Sequence, residues 1–300
     1  MRSARNRKKK WSFEHVLGLL ILCLFSLLCI VPIWSVISIA LSDEAMISQY
    51  GYSLIPRGIT LDAFRYVMDS AGWQLAKAYG VTITTTAAGT VLSLVFMSMM
   101  AYALARPDFR WARIFGFLVY FTLLFNGGMV PGYMVVTRVL HLKDTLGALI
   151  FPYVIGAWNL LLMRTFFKGI PYELIEAAKI DGAGNFSIYL KVTVPLCKAA
   201  FATIGVLVAL QYWNDWWLPL LYIDSNKLAN LQYLLYRIMA NIQAISEMAA
   251  SGAVDVDFSN IPSETVRMAM CILAAGPMLV VFPFFQKFFA KGIMAGSIKG

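Results

Sequence analysis

The residues best suited to chemistry in this 300-residue chain form one short run, Tyr212, Trp213, Asn214, Asp215, Trp216 and Trp217. Tyr212, Trp213, Trp216 and Trp217 offer flat apolar faces, and Asn214 and Asp215 can hydrogen-bond hydroxyl groups, a combination that suits a solute passage. The same aromatics equally suit a belt at a membrane–water interface, where Trp and Tyr gather. Asp215 is the more informative residue, because an ionisable group inside an apolar run faces protein or water rather than lipid. A second run, Glu176, Ala177, Ala178 and then Asp181, Gly182, Ala183, places carboxylates beside residues small enough for another protein's backbone to approach closely. Asn126, Gly127 and Gly128 make a backbone break that reads as a gate hinge or a plain turn.

Other chemistry is excluded by what the chain lacks. With only His15 and His141, sites built on paired imidazoles are ruled out, and Cys23, Cys29, Cys197 and Cys271 have neither zinc nor disulfide spacing. No Gly-Lys dipeptide occurs, so no phosphate-binding loop exists, and hydrolase signatures of the G-x-S-x-G and H-E-x-x-H types are absent. The expectation is a non-enzyme that carries no metal or cofactor of its own.

The elements that must position these runs are membrane spans. A chain that is 60% hydrophobic and 14% charged, with mean hydropathy +0.70, does not describe a soluble surface. A bilayer core needs about 20 apolar residues as helix, and six segments meet that length. They are residues 16–41, 78–105, 114–137, 145–163, 199–223 and 268–286, and only the fifth contains a charge, Asp215. Thr82, Thr84, Thr85, Thr86, Thr90, Ser93 and Ser98 crowd the second, where small hydroxyl side chains favour close helix packing. On one side of the membrane, residues 1–15, 104–113, 164–198 and 287–300 carry six, three, five and three Lys or Arg, against seven in the loops opposite. That bias places both termini in the cytoplasm, leaving 1–15 as a basic N-terminus and 287–300 as a short tail. The formal charge of +9 is thereby read as topology and lipid-headgroup signal, not nucleic-acid binding.

Residues 164–198 form the cytoplasmic linker, which reads as helix, turn, helix. Pro171 suits a first helical position, Glu173 and Glu176 favour the positive end of the helix dipole, and Asp181-Gly182 supplies the stop. Asn185 or Ser187 can cap the second helix, and Leu174 and Ala178 share a face with Ile175 beside them. Here the spacing Glu176-Ala177-Ala178, Asp181-Gly182-Ala183, Val192 and Pro195-Leu196 resembles the EAA loop of ABC importer permeases, with Ala199 and Ala200 where those permeases often have a second proline. The runs Phe125 to Pro131, Trp213 to Leu220 and Phe285 to Gly300 resemble maltose-type carbohydrate permeases, and among them those for alginate, aldouronate and pectic oligosaccharides.

The resemblance implies an all-α, polytopic permease of the type I ABC importer fold, with six transmembrane helices and the linker docking as a coupling helix into an ATPase. It implies a second permease subunit forming a heterodimer, an ATPase dimer that holds ATP and Mg, an extracytoplasmic solute-binding protein, and a bacterial inner membrane. It also implies an oligosaccharide cargo for which Tyr212 to Trp217 line the path. If that cargo is acidic, a carboxylate in the path repels it, and pairing of Asp215 with a cation on the partner permease becomes its alternative role. In relatives, the loop containing the amphipathic stretch 231–245 reaches toward the binding protein; otherwise that stretch rests on the bilayer surface. An ion-coupled secondary transporter is the other class considered, but the two halves lack the internal similarity common in such carriers.

Overall fold

The computed structural model describes residues 13–250 and 263–297. The basic cluster Arg2 to Lys10 and the terminal Lys299-Gly300 lie outside the described residues. Every regular element among the described residues is helical. Contacts divide the chain into two compact units, Met1–Ser70 with Ile245–Leu273, and Ala71–Ala244 with Ala274–Gly300.

The first unit contains α1 (Phe13–Ala40), α2 (Glu44–Tyr50) and the start of α14 (Ser263–Ser297). Apolar side chains cover every face of α1, the composition of a segment surrounded by lipid or by other spans. Asp43 ends the approach to α2 by accepting from the amides of Ala45 and Met46 at 2.9 and 3.2 Å. Glu44 caps α14 in the same way, taking Glu264 N, Thr265 N and Thr265 Oγ1 at 3.0, 2.9 and 2.6 Å.

The helix α3 (Asp62–Ala105) continues into the second unit. Its 44 residues extend about 66 Å at 1.5 Å per residue, more than twice the thickness of a bilayer core. Its charges, Asp62, Arg65, Asp69 and Lys77, all lie before residue 78. The core of the second unit is built where α3 meets α7 (Ala157–Lys168) and α11 (Lys198–Trp213): Met97, Ala101, Leu104, Leu160, Met163, Ile204 and Val208 are buried together. Small residues allow the approach. A Cβ on Gly89 would overlap the Tyr212 ring, so only glycine fits there.

Three segments expected as single spans are broken helices. Between α4 (Ala112–Leu124) and α5 (Met129–Met134) the axis turns by 116°, at Phe125 to Gly128. The cause is local: Asn126 Oδ1 accepts from Gly128 N at 2.9 Å, and Gly128 adopts φ +91°, which side-chain-bearing residues avoid. A π-helical turn, Val135–Val139, follows α5. The fourth segment bends by 49° between α6 (Leu146–Ile150), with its 3₁₀ turn Phe151–Tyr153, and α7. Pro152 removes a helical donor there. The fifth segment stops at Trp213 and resumes as α12 (Trp217–Tyr222), and the linker meets α11 at an angle of 82°. By length and composition α1 and α3 can each cross a membrane, the bent pairs add up to three crossings, and α14 covers the sixth expected segment.

Candidate functional site

The break between α11 and α12 is organised by Asp215, which is only 7% exposed. Its Oδ1 accepts from Trp217 N at 3.1 Å, Leu218 N at 3.2 Å and Tyr153 Oη at 3.2 Å. From one residue before the N-cap, Trp216, the carboxylate thus meets the otherwise unpaired first amides of α12. Asn230, just before α13 (Leu231–Ala250), donates from Nδ2 to the carbonyl of Asp215 and accepts from Tyr233 N at 3.0 Å. Tyr153 and Asn230 complete this node, and nothing in the local sequence singles them out. An isolated Tyr in an apolar run and an isolated Asn in a loop give no spacing by which to find them.

The aromatic run divides in two. Tyr212 and Trp213 are buried, and their polar atoms serve the backbone: Tyr212 Oη donates to Ile150 O at 2.8 Å and Trp213 Nε1 to Ala274 O at 3.1 Å. Asn214, Trp216 and Trp217 are exposed. Trp216 stacks on Tyr236 of α13 with ring centres 5.0 Å apart and meets Trp217 edge-on at 5.7 Å. Asn214 is reached by Gln232 Nε2 at 3.4 Å. Leu231, Leu234 and Leu235 are buried, so the start of α13 packs on protein rather than lying freely on a bilayer surface. Asn126, Gly127 and Gly128 are exposed at the corner between α4 and α5.

The linker folds as helix, turn, helix. Pro171 is the N-cap of α8 (Tyr172–Ile180), one residue earlier than the expected first helical position. The stop is a Schellman turn. Gly182 has φ +79°, its N–H donates to Lys179 O at 2.9 Å, and Ala183 N–H donates to Ala178 O at 2.9 Å. Glu176, Ala177, Asp181 and Gly182 are exposed, Ala178 and Ala183 half-buried. Ile175 faces inward while Leu174 and Ile180 face out, so Leu174 and Ile175 do not serve one surface. The second helix comprises α9 (Asn185–Ile188), a π-helical turn Tyr189–Thr193 and α10 (Val194–Leu196). Its N-cap is Gly184, with no side-chain bond, rather than Asn185 or Ser187. The amide of Asn185 is engaged elsewhere, accepting from Arg106 Nη1 at 3.1 Å.

That contact belongs to a clasp that no local sequence signal marks. Arg106, 7% exposed, grips Asp108 through Nε at 2.8 Å and Nη2 at 2.5 Å and donates from Nη1 to Tyr102 Oη at 2.6 Å. Lys179 of α8 reaches the same Asp108 carboxylate at 2.7 Å. The Arg106 guanidinium, aided by Lys179, holds the Asp108 carboxyl well below the usual carboxylate range, and Asp108 in turn raises both cations. In sequence, Arg106 and Asp108 look like ordinary charges at the end of a span.

The family described as "binding-protein-dependent transport system inner membrane component" matches residues 80–295. Over 282 residues, 93% of this chain and 96% of the relative, the sequence is 37% identical to a Bacillus subtilis (strain 168) protein, the polygalacturonan/rhamnogalacturonan transport system permease protein YtcP. It is 35% identical to Protein LplC of the same organism, covering 90% of both chains. Among solved structures, a chain from a bacterial ABC transporter involved in the import of the acidic polysaccharide alginate superposes with a TM-score of 0.78 and 29% identity, covering 96% of this chain and 99% of that one.

Proposed function

Because the chain belongs to the binding-protein-dependent transport system inner membrane component family, we propose how its two sites divide the labour of a carbohydrate importer. It is the permease subunit of an ABC importer, not an ion-coupled carrier. ATP is hydrolysed by partner subunits, in keeping with the missing Gly-Lys dipeptide. The linker is the coupling element, and Glu176, Ala177, Ala178, Asp181, Gly182 and Ala183 form the surface that enters the ATPase. The observation carrying this reading is the Schellman turn: it leaves Glu176, Ala177 and Gly182 outward at the end of a short, rigid helix. The basic bias puts that surface and both termini in the cytoplasm.

A second permease completes the translocation path, and a solute-binding protein delivers the cargo from outside. Asn214, Trp216 and Trp217 are the members of the aromatic run placed to meet it, and the corner at Asn126, Gly127 and Gly128 acts as the gate hinge. The relatives named for pectic polymers and alginate support an acidic oligosaccharide as cargo. Asp215 does not oppose such a cargo, because it is buried beneath the start of α12. Uptake of labelled galacturonate oligomers by a strain deleted for this chain tests the cargo assignment. Loss of uptake restored by the wild-type gene is expected; undiminished uptake contradicts it.

A further inference from the structure

Resting on the coupling role just proposed, we propose that Arg106, Asp108 and Lys179 form a strut through which the coupling helix moves α3. Ser98 and Tyr102, one turn apart on α3, and Arg106, the first residue past its end, grip the linker. Ser98 Oγ pairs with Tyr189 Oη at 2.7 Å, Tyr102 Oη donates to Asn185 O at 3.2 Å, and Arg106 takes the Asn185 side chain. From Arg106 the ladder continues through Asp108 to Lys179, the only connection in it that ends on the coupling helix itself.

Open grooves of about 400 and 300 Å³ flank this ladder, and Tyr102 and Arg106 line both. A displacement of α8 is delivered through the polar contacts that bridge them. The receiving element is continuous: α3 runs unbroken to Gly89, which abuts Tyr212, and to Thr82, whose Oγ1 accepts from Leu231 N at 2.8 Å. One helix therefore touches the coupling loop at one end and the supports of the Asp215 node farther along. The grip on Tyr189 falls where the linker switches to π-helical winding, a local irregularity common at functional positions.

Arg106, Asp108 and Lys179 are positioning residues and touch neither nucleotide nor cargo. The test uses the full complex, this chain with its second permease, ATPase and binding protein, reconstituted in liposomes. Lys179→Met, Lys179→Arg and Asp108→Asn are compared with wild type. Three quantities are read: ATPase bound per permease, basal hydrolysis, and the factor by which binding protein loaded with a galacturonate oligomer stimulates hydrolysis. Lys179→Met and Asp108→Asn are expected to retain stoichiometric ATPase while stimulation falls several-fold, and Lys179→Arg is expected to restore it. Lys179 is exposed enough that its replacement leaves folding intact even if Asp108→Asn, which strips a buried arginine of its charge partner, does not. Full stimulation in Lys179→Met overturns the strut, and so does loss of bound ATPase, which would make Lys179 a docking residue. A wild-type complex without ATPase, or without stimulation, refutes the reading beneath it instead.

Discussion

At the scale of single residues, one carboxylate has a role different from its neighbours in the same run. Asp215 holds two backbone amides and a tyrosine, so replacing it by Ala takes the acceptor from the first amides of α12 and leaves buried donors unpaired. The expected cost is about 1–3 kcal/mol of stability. Trp216 and Trp217 are exposed, and their replacement by Ala removes stacking faces without emptying a core. The prediction is a lowered unfolding temperature for Asp215→Ala in detergent and a smaller shift for Trp216→Ala and Trp217→Ala, which lose only ring contacts, with cargo uptake impaired in the tryptophan variants. Unchanged uptake in both would assign these rings to an interfacial belt. The run was legible as a place, from its composition alone. Its division into buried Tyr212 and Trp213 and exposed Trp216 and Trp217 was not, because that depends on where α11 stops.

At the scale of elements, apolar run length marks segments that fold as helices, while their breaks depend on pairs of residues that run length averages away. Asn126-Gly127-Gly128 was readable as an interruption, but its 116° turn follows from Gly128 at φ +91° and an Asn side chain bonded two residues ahead. The linker was the most legible element, since Pro171, Glu173 and Gly182 are start, dipole and stop signals with local causes. The clasp was illegible for the opposite reason: Asp108 and Lys179 are 71 residues apart and meet only through the tertiary fold. It also has a signed pH dependence. A carboxyl held below its usual value stabilises fully above about pH 4 and loses that contribution only as pH falls through the lowered value. Coupling is therefore expected to be flat from pH 6 to 8 as far as this pair is concerned, in hydrolysis assays across that range. A loss of stimulation between pH 8 and 6 that Asp108→Asn abolishes would contradict the assignment.

At the scale of the whole molecule, the proposed sidedness rests on charge asymmetry and is open to direct test. In a background lacking the four native cysteines, a cysteine at Ser225 is expected to react with an impermeant thiol reagent in intact cells, and one at Ser3 only after permeabilisation. Labelling at Ser3 in intact cells would invert the topology and remove the coupling loop from the ATPase. The central claim is that Glu176 to Ala183 passes ATPase closure into the membrane. Gly182 is the sharpest place to test it. A side chain there finds open space within this chain, so Gly182→Leu costs only the backbone strain of φ +79°, about 1–2 kcal/mol. A docked partner has no such tolerance at a surface of Ala177, Ala178 and Ala183. The decisive measurement is ATPase co-purification together with stimulated hydrolysis in the reconstituted Gly182→Leu complex. The account predicts loss of the bound ATPase or of its stimulation while the permease stays folded; stoichiometric ATPase with full stimulation would contradict it.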